Sequence, residues 1–231
     1  MTDMDAGPKI AWIAALVGDP ARAKMLAHLM DGRALTASEL AYFAGVSPPT
    51  ASEHLAKLCD AGLLLPAKQG RHRYFRLASP LVGQMLEGIM VVAQTGPARD
   101  RTHWRGGEAL RNARSCYDHM AGRLAVGIAD RLAERSHIVL DADGAQVTEA
   151  GRAFLDSHGI QLPTPSGQRL LCRPCRDWSE QRPHLAGVLG AALLRHALDH
   201  GWVQRVRDSR ALSITAAGRQ AFADTFDIDG C

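Results

Sequence analysis

The fold of this chain is indicated most clearly by residues 36–62, which read TASELAYFAGVSPPTASEHLAKLCDAG. Thr36 and Glu39 have the spacing of a capping box, which predicts a short helix that stops at Gly45. Ser47, followed directly by proline, is typical of the residue that caps a second helix. Two short helices joined by a glycine-containing turn form a helix-turn-helix motif.

The flanking segments add three helices and a hairpin to this motif. Asp19 before Pro20 is typical of a helix start, and Gln69-Gly70 suits a turn between two strand-like segments. Besides the short helix that stops at Gly45, the predicted helices are Ile10–Val17, Pro20–Met30, Ser47–Ala61 and Pro80–Gln94. The predicted strands are Leu63–Lys68 and Arg71–Leu77. We therefore expect a winged helix-turn-helix domain over residues 1–95.

Side chains that suit duplex DNA lie on the second helix of the motif and on the hairpin. Leu55, Leu58 and Cys59 recur at helical spacing and are expected to face the core, which leaves the polar side chains outward. Small hydroxyl groups near a helix N-terminus can contact phosphates or base edges, and we expect Arg71 to enter a groove. The predicted DNA-binding residues are Ser47, Pro48, Thr50, Ser52, His54, Lys57, Lys68, Arg71, His72, Arg73 and Tyr74. For Tyr74, packing against the hairpin is an equal alternative, and a winged helix used only for protein contacts is the alternative for the whole segment.

Composition is that of an ordinary globular protein. The 231 residues carry a net charge of +3, so an argument for nucleic acid must rest on where the charge lies and not on its total. No apolar run is long enough for a membrane span, and the acidic N-terminus lacks the basic start of a signal peptide, so we expect a cytoplasmic protein. Five cysteines in a reducing compartment argue against a disulfide framework and leave metal binding, redox chemistry or burial.

The stretch Ala23–Gln94 resembles the ArsR/SmtB family of winged-helix regulators, in its long form with an appended cysteine-containing C-terminal domain. The residues that carry the resemblance are TASELA at 36–41, VSPPTASEHLAKL at 46–58, AGLL at 61–64 and GRHRYF at 70–75. The resemblance implies a homodimer built through the first helix and the helix after the wing. It also implies a repressor that leaves a pseudo-palindromic operator when a ligand, often a metal ion, binds.

The chain departs from this family at the two best-known sensor positions. Where some members carry Cys-x-Cys in the third helix, this sequence has Leu40-Ala41-Tyr42-Phe43. The helix after the wing lacks the paired Asp and His of the other sensor site, since residues 81–94 offer only Glu87 as an ionisable group. We therefore expect the signal to be received in the C-terminal part of the chain.

An internal repeat organises that C-terminal part. HMAGRL at 119–124 matches HLAGVL at 184–189, and TEAGR at 148–152 matches TAAGR at 215–219. We expect a basic linker at 96–110 and a sensor domain at 111–231, with two helix-hairpin-helix units at 117–160 and 182–228. The overall prediction is a mainly α protein with small β-hairpins, an α+β fold.

Candidate metal ligands are the C-x-x-C of Cys172 and Cys175, the C-x-x-H of Cys116 and His119, and His184. Thiolates and imidazoles suit a soft or transition metal ion such as cadmium, lead, zinc or arsenite. Because the repeat keeps both histidines, a structural role for them is the alternative. An alignment of the two copies without gaps pairs Cys116 with Gln181, and so gives no reason for the cysteines to be adjacent.

Three other functions stay open at this point. A thiol-redox switch would use the same cysteines, and Trp104, Trp178 and Trp202 offer an apolar pocket for an organic ligand. No phosphate-binding loop, nucleophile elbow or H-E-x-x-H motif proposes an enzyme, so we expect none. A thiol oxidoreductase using Cys172 and Cys175 would lack its usual βαβ context.

Overall fold

A computed structural model describes residues 6–70, 72–95, 107–141, 144–163 and 169–229. They divide into two compact units, the first extending to Gly83 and the second beginning at Gln84. This division falls within a helix, earlier than the boundary at residue 95 expected from the sequence. Within the described residues, no helix combines the length and hydrophobicity that a membrane crossing requires.

The first unit is a helical domain with one small antiparallel sheet. Its elements are α1 (Ala6–Val17), α2 (Pro20–Leu29), β1 (Leu35–Thr36), α3 (Ala37–Ala44), α4 (Pro48–Asp60), β2 (Leu64–Gln69), β3 (His72–Leu77) and the start of α5 (Pro80–Thr95). The sheet has the order β1-β3-β2. The helix-turn-helix and the hairpin predicted from the sequence are therefore present, and the short strand β1 was not predicted.

Local capping explains where the helices of the first unit begin and end. The Asp19 side chain accepts a hydrogen bond from the amide of Arg22 at 2.9 Å. Thr36 and Glu39 form the reciprocal bonds of a capping box. Gly45 ends α3 with a φ of +71°, a left-handed conformation that glycine adopts without strain. These signals lie within a few residues of one another, which is why the sequence predicts them well.

Apolar side chains of α2, α3, α4 and the sheet form the core of the first unit. Leu26, Leu40, Leu55 and Leu58 are all within 1% of complete burial. Cys59, which was also expected to face the core, is only half-buried. It lies one position beyond Leu58 and so at the edge of the buried stripe.

The second unit contains five helices after α5 and four two-stranded antiparallel hairpins among its described residues. The remaining elements are α6 (Gly107–Asn112), β4 (Arg114–Cys116), β5 (His119–Ala121), α7 (Arg123–Glu134), β6 (Ile138–Leu140), β7 (Ala145–Val147), α8 (Glu149–Ser157), β8 (Arg173–Arg176), β9 (Pro183–Ala186), α9 (Gly187–Asp199), β10 (Val203–Arg205), β11 (Leu212–Ile214) and α10 (Ala216–Phe226). Residues 107–110, expected as linker, are helical, and residues 96–106 lie outside the described part of the chain.

The order hairpin, helix, hairpin, helix occurs twice in this unit, first from β4 to α8 and then from β8 to α10. The hairpins β6-β7 and β10-β11 lie within the residue ranges 117–160 and 182–228 expected for the two units. The leading hairpins β4-β5 and β8-β9 were not predicted, because their strands are only three or four residues long. An apolar core built mainly from α7, α9 and α10 also includes Met120 and Leu185 of the two leading hairpins.

Candidate functional site

Four buried side chains with metal-binding donor atoms converge in the second unit. They are Cys116, His119, Cys175 and His184, and one donor atom from each lies within 4.8 Å of all the others. The exposed fraction of each residue is 8% or less. We call this group the Cys2His2 cluster.

The two leading hairpins place these side chains by strand register. Cys116 and His119 are directly opposite each other in β4-β5, and Cys175 and His184 are directly opposite each other in β8-β9. Directly opposed residues of an antiparallel pair project to the same face of the sheet. Each hairpin therefore supplies one thiol and one imidazole to the cluster.

Two glycines show how the hairpins correspond. Gly122 and Gly187 have φ values of +89° and +83°, and a Cβ at either would lie 2.7 Å from the carbonyl oxygen of Arg111 or Leu170. Cys116 follows Arg111 by five positions, and Cys175 follows Leu170 by five positions. The ungapped alignment of Cys116 with Gln181 is therefore wrong for this region, because eight residues separate the ligands in β8-β9 and only two in β4-β5.

Both imidazoles are oriented by carboxylates. The Nε2 atoms of His119 and His184 lie 3.2 Å apart in the cluster. On the far side of the rings, His119 Nδ1 lies 3.1 Å from Asp118 Oδ1, and His184 Nδ1 lies 3.2 Å from Asp177 Oδ2. The His119 contact is a hydrogen bond and favours the tautomer whose Nε2 carries a lone pair, as in metal-binding histidines. The His184 contact is an ion-pair distance without hydrogen-bond geometry. At 3.2 Å, one Nε2 must donate a proton to the other or both must face a cation.

Asp177 is itself held by a dense set of donors. Its Oδ2 accepts hydrogen bonds from Arg114 Nη2 at 3.0 Å and from the amide of Gly122 at 2.7 Å. Its Oδ1 accepts bonds from the amide and the hydroxyl of Ser179. Both Asp177 and Arg114 are fully buried. No local sequence pattern predicts this role of Arg114, because its partner is 63 residues away.

Burial and neighbouring charges shift the pKa values of the cluster in opposite directions. The hydrogen bond with Cys116, reinforced by both histidines, holds the pKa of Cys175 well below its ordinary value despite burial. The same bond and burial raise the pKa of Cys116. Burial favours the neutral form of His184, but Asp177 and Cys175 outweigh it and raise the pKa to about 9. The metal-free cluster thus stabilises a Cys175 thiolate beside a protonated His184.

The donor set fits a four-coordinate metal ion. Two thiolates and two imidazoles form a ligand set typical of zinc. Two thiolates also neutralise a divalent cation, which lowers the cost of holding the ion in a buried site. The carboxylates Asp118 and Asp177 complete the outer layer of partners expected around metal-bound histidines.

Cys172 is not a member of the Cys2His2 cluster. Its side chain lies in the apolar core and is 3% exposed. Burial raises the pKa of its thiol to about 11. Ala113, the corresponding residue before β4, is completely buried. A small apolar residue thus precedes each leading hairpin. Cys172, proposed from the sequence as a ligand together with Cys175, lies outside the group of donor atoms that contains Cys175.

On α4, most of the predicted DNA-binding side chains are exposed. This group comprises Ser47, Pro48, Thr50, Ser52 and Lys57. His54 differs, because it is half-buried and its Nδ1 lies 3.1 Å from Arg22 Nη1. Ser47 caps the helix by accepting a hydrogen bond from the amide of Thr50, so its hydroxyl serves the fold as well as the exposed surface.

The hairpin β2-β3 presents basic side chains to solvent. Lys68, His72 and Arg73 are exposed, and the Arg73 guanidinium lies 5.3 Å from the centre of the Phe75 ring. Tyr74 is half-buried, which fits packing on the hairpin. Arg71, predicted to enter a groove, lies outside the described residues, as do Trp104 and Cys231.

Sequence comparisons place the whole chain among regulators of transcription. A family model described as a helix-turn-helix domain matches residues 17–66. The uncharacterized HTH-type transcriptional regulator YdfF of Bacillus subtilis is 39% identical over 222 residues, which cover 96% of this chain and 98% of that protein. The arsenic resistance transcriptional regulator ArsR1 of Pseudomonas putida is 31% identical over 100 residues, 42% of this chain and 72% of that protein.

Several solved structures resemble part of the chain. The homodimeric winged helix-turn-helix domain Mb0332 of Mycobacterium bovis, described as a possible ArsR-family regulator, is 24% identical with a TM-score of 0.39. The match covers 45% of this chain and 96% of that one.

Proposed function

Because this chain belongs to the ArsR family of helix-turn-helix transcriptional regulators, we propose that it is a repressor released from operator DNA when a metal ion binds the Cys2His2 cluster. The observation that supports this proposal is the convergence of four buried donor side chains from two hairpins. The family's regulators bind DNA through the winged helix, and the cluster supplies a separate receiving site.

Zinc is the ion that this donor set favours. Tetrahedral sites with two sulfur and two nitrogen ligands are typical of Zn(II), with Cd(II) as a softer competitor. Sites with three or more thiolates favour lead and arsenite. The cluster has two thiols, and Cys172 does not add a third. The order of preference proposed is therefore zinc or cadmium before lead or arsenite.

The proposal is tested by titrating the reduced, metal-free protein with Zn(II) and measuring its affinity for a duplex selected from a random-sequence pool by the same protein. We expect one ion per chain and DNA binding that weakens at least about fivefold, the lower end of ordinary allosteric coupling. Stoichiometric Zn(II) binding with unchanged DNA affinity would identify a structural metal, which complete burial by four protein ligands also suits. Absence of Zn(II) and Cd(II) binding would overturn the metal proposal.

A thiol switch is the second candidate, favoured by the hydrogen-bonding contact between Cys116 and Cys175. In that case the disulfide would join these two residues, and not Cys172 with Cys175. Mild peroxide would then release DNA from a protein without metal affinity, with loss of two free thiols per chain.

A homodimer is proposed from exposed apolar side chains on α1 and on α5. Ile10 and Trp12 on α1 are 67% and 52% exposed, and Leu81 and Val92 on α5 are 71% and 69% exposed. Concentrations of exposed apolar side chains mark interaction surfaces in soluble proteins. A second copy suits the family, since a two-fold dimer matches a pseudo-palindromic operator.

Placing a charge at one of these exposed apolar positions should separate the subunits. The variants Ile10→Glu and Val92→Glu are expected to remain folded, since both side chains are exposed, but to sediment as monomers and to bind the operator more weakly. Val139→Glu is the matched control, because Val139 is 53% exposed on the hairpin β6-β7. Dimeric sedimentation of both α1 and α5 variants would show that the subunits meet elsewhere.

Removal of one positively charged side chain from α4 should weaken binding to DNA of any sequence. Lys57→Ala is expected to lower operator affinity and to reduce the slope of log affinity against log salt by about 1, the value for one phosphate contact. Arg152→Ala, on an exposed position of α8, is the control. If the two variants show the same salt slope as the parent, Lys57 lies off the DNA face.

A further inference from the structure

A buried ion pair joins α5 to the segment before β11. Arg210 Nη1 donates to Glu87 Oε1 at 3.0 Å, and the side chains are only 5% and 4% exposed. Arg210 Nη2 also lies 3.7 Å from the sulfur of Met90, one turn further along α5. Glu87 is the only ionisable residue between positions 81 and 94. Taking two charges out of water costs free energy that an apolar pair would not cost. The presence of this buried ion pair therefore needs an explanation.

The backbone of Arg210 is bonded to the strand that carries the first thiol of the cluster. The carbonyl oxygen of Arg210 accepts hydrogen bonds from the amide of Ser115 at 2.9 Å and from its hydroxyl at 3.2 Å. The amide of Leu212 donates to the carbonyl of Ala113 at 2.9 Å. Because Ser115 precedes Cys116 directly, Arg210 connects β4 with α5 through its backbone on one side and its side chain on the other.

This connection belongs to the first leading hairpin alone. The position equivalent to Ser115 in β8 is Pro174, which has no amide hydrogen to donate. The second hairpin therefore cannot make the same backbone bond. A difference of this kind between two corresponding hairpins indicates a specialised role for the first.

Only one of the two carboxylate oxygens of Glu87 takes part in the ion pair. Glu87 Oε2 is buried and accepts no hydrogen bond among the described residues, so the pair lacks the stronger two-bond geometry of arginine and carboxylate. Its geometry therefore depends on where the backbone bonds to β4 hold Arg210.

We propose that Arg210 and Glu87 transmit the occupancy of the Cys2His2 cluster from β4 to α5. This inference rests on the proposed function and names the residues through which it acts. A four-coordinate ion fixes its donor atoms about 3.3–3.8 Å apart, given ligand distances of about 2.0–2.3 Å, and so fixes the position of Cys116 at the end of β4. Ser115 and Arg210 pass that constraint to Glu87. Since α5 also carries the exposed Val92, its displacement would alter the subunit interface proposed above.

The test removes the ion pair without leaving a lone buried charge. The double variant Glu87→Met/Arg210→Met replaces both partners with apolar side chains of similar length, a change that buried ion pairs often tolerate. The matched control is Glu134→Met/Arg131→Met, which removes an ion pair on the exposed surface of α7. For parent, variant and control, Zn(II) affinity and DNA affinity with and without Zn(II) are measured, using the duplex selected from a random pool.

The expected result separates binding from response. All three proteins should bind Zn(II) with the same affinity and, without metal, bind DNA alike. Zn(II) should weaken DNA binding in the parent and the control, but not in the double variant. Hydrogen exchange of the α5 amides gives a second readout, and should change with Zn(II) in the parent and the control only.

Three outcomes would overturn the inference, and each has its own meaning. A Zn(II) response of parental size in the double variant places the coupling elsewhere and leaves the proposed function intact. No response in the parent removes the proposed function and the coupling together. If the double variant fails to fold, the milder Glu87→Gln is measured in the same way, and a parental response there equally overturns the proposal.

Discussion

Cys175→Ala abolishes tight Zn(II) binding, whereas Cys172→Ala leaves it unchanged: this is the result we expect from the positions of the two thiols. Cys175 lies in the Cys2His2 cluster, and Cys172 lies in the apolar core. Loss of an outer partner of a metal ligand costs about 10–100-fold in affinity, and loss of a ligand should cost more than that. The measurement is a competition titration with a chelator of known affinity.

The alanine at position 172 is a fair control because the fold already accepts alanine at the corresponding place. Ala113 precedes β4 as Cys172 precedes β8, and both are buried. The thermal stability of Cys172→Ala, measured without metal, reports how well the core tolerates the change. Equal losses of Zn(II) affinity in the two variants would mean that both thiols of the C-x-x-C bind the ion.

Asp177→Asn is expected to weaken both the metal-free fold and the affinity for Zn(II). The substitution removes the charge that balances buried Arg114, and breaking a buried ion pair costs about 3–5 kcal/mol. It also removes the carboxylate from His184 Nδ1, which should lower Zn(II) affinity about 10–100-fold. Asp118→Asn is the control for stability, because Asp118 hydrogen-bonds His119 Nδ1 but is 30% exposed and pairs with the exposed Arg169. It should lower Zn(II) affinity as well, but leave the free energy of unfolding almost unchanged. The free energy of unfolding in urea and the Zn(II) affinity are the quantities to compare.

The same variant should change how stability depends on pH. His184 has a raised pKa of about 9 in the metal-free fold, so its contribution is fully present below its unfolded pKa of about 6.5 and is lost as pH rises through 9. Between these values the contribution of His184 to stability declines, whereas that of Cys175, whose pKa is lowered, grows as pH rises. Comparing parent and variant isolates the part of the pH dependence that belongs to His184. In Asp177→Asn the carboxylate that stabilises the imidazolium is gone, and the decline should be smaller. An equal decline in both proteins would show that Asp177 does not hold the charge on His184.

The helix-turn-helix was predictable because its signals are local. Asp19, Thr36 and Ser47 each cap a helix whose first turn lies within three residues. Gly70 occupies the predicted hairpin turn with a φ of +60°. Patterns of this kind are written into adjacent residues, and tertiary contacts have little to add.

The Cys2His2 cluster was only half predictable. Four of the five proposed ligands form it, but the sequence did not place them together, and it paired Cys175 with Cys172 because they are close in the chain. The positions of the four side chains depend on the register of two hairpins whose turns differ in length. An alignment of the two copies without gaps cannot provide that register. The Glu87–Arg210 pair, whose members are 123 residues apart, had no sequence signal beyond the isolation of Glu87 in an apolar helix.

The division of the cluster between β4-β5 and β8-β9 has a consequence for protein engineering. A single hairpin offers one sulfur and one nitrogen, so a fragment with one hairpin would need a second fragment to supply the other two donors of the proposed site. The ion would then join two chains. In the intact protein both hairpins belong to one polypeptide, so an ion held by these four residues would join two parts of the same chain, and its binding would not depend on protein concentration.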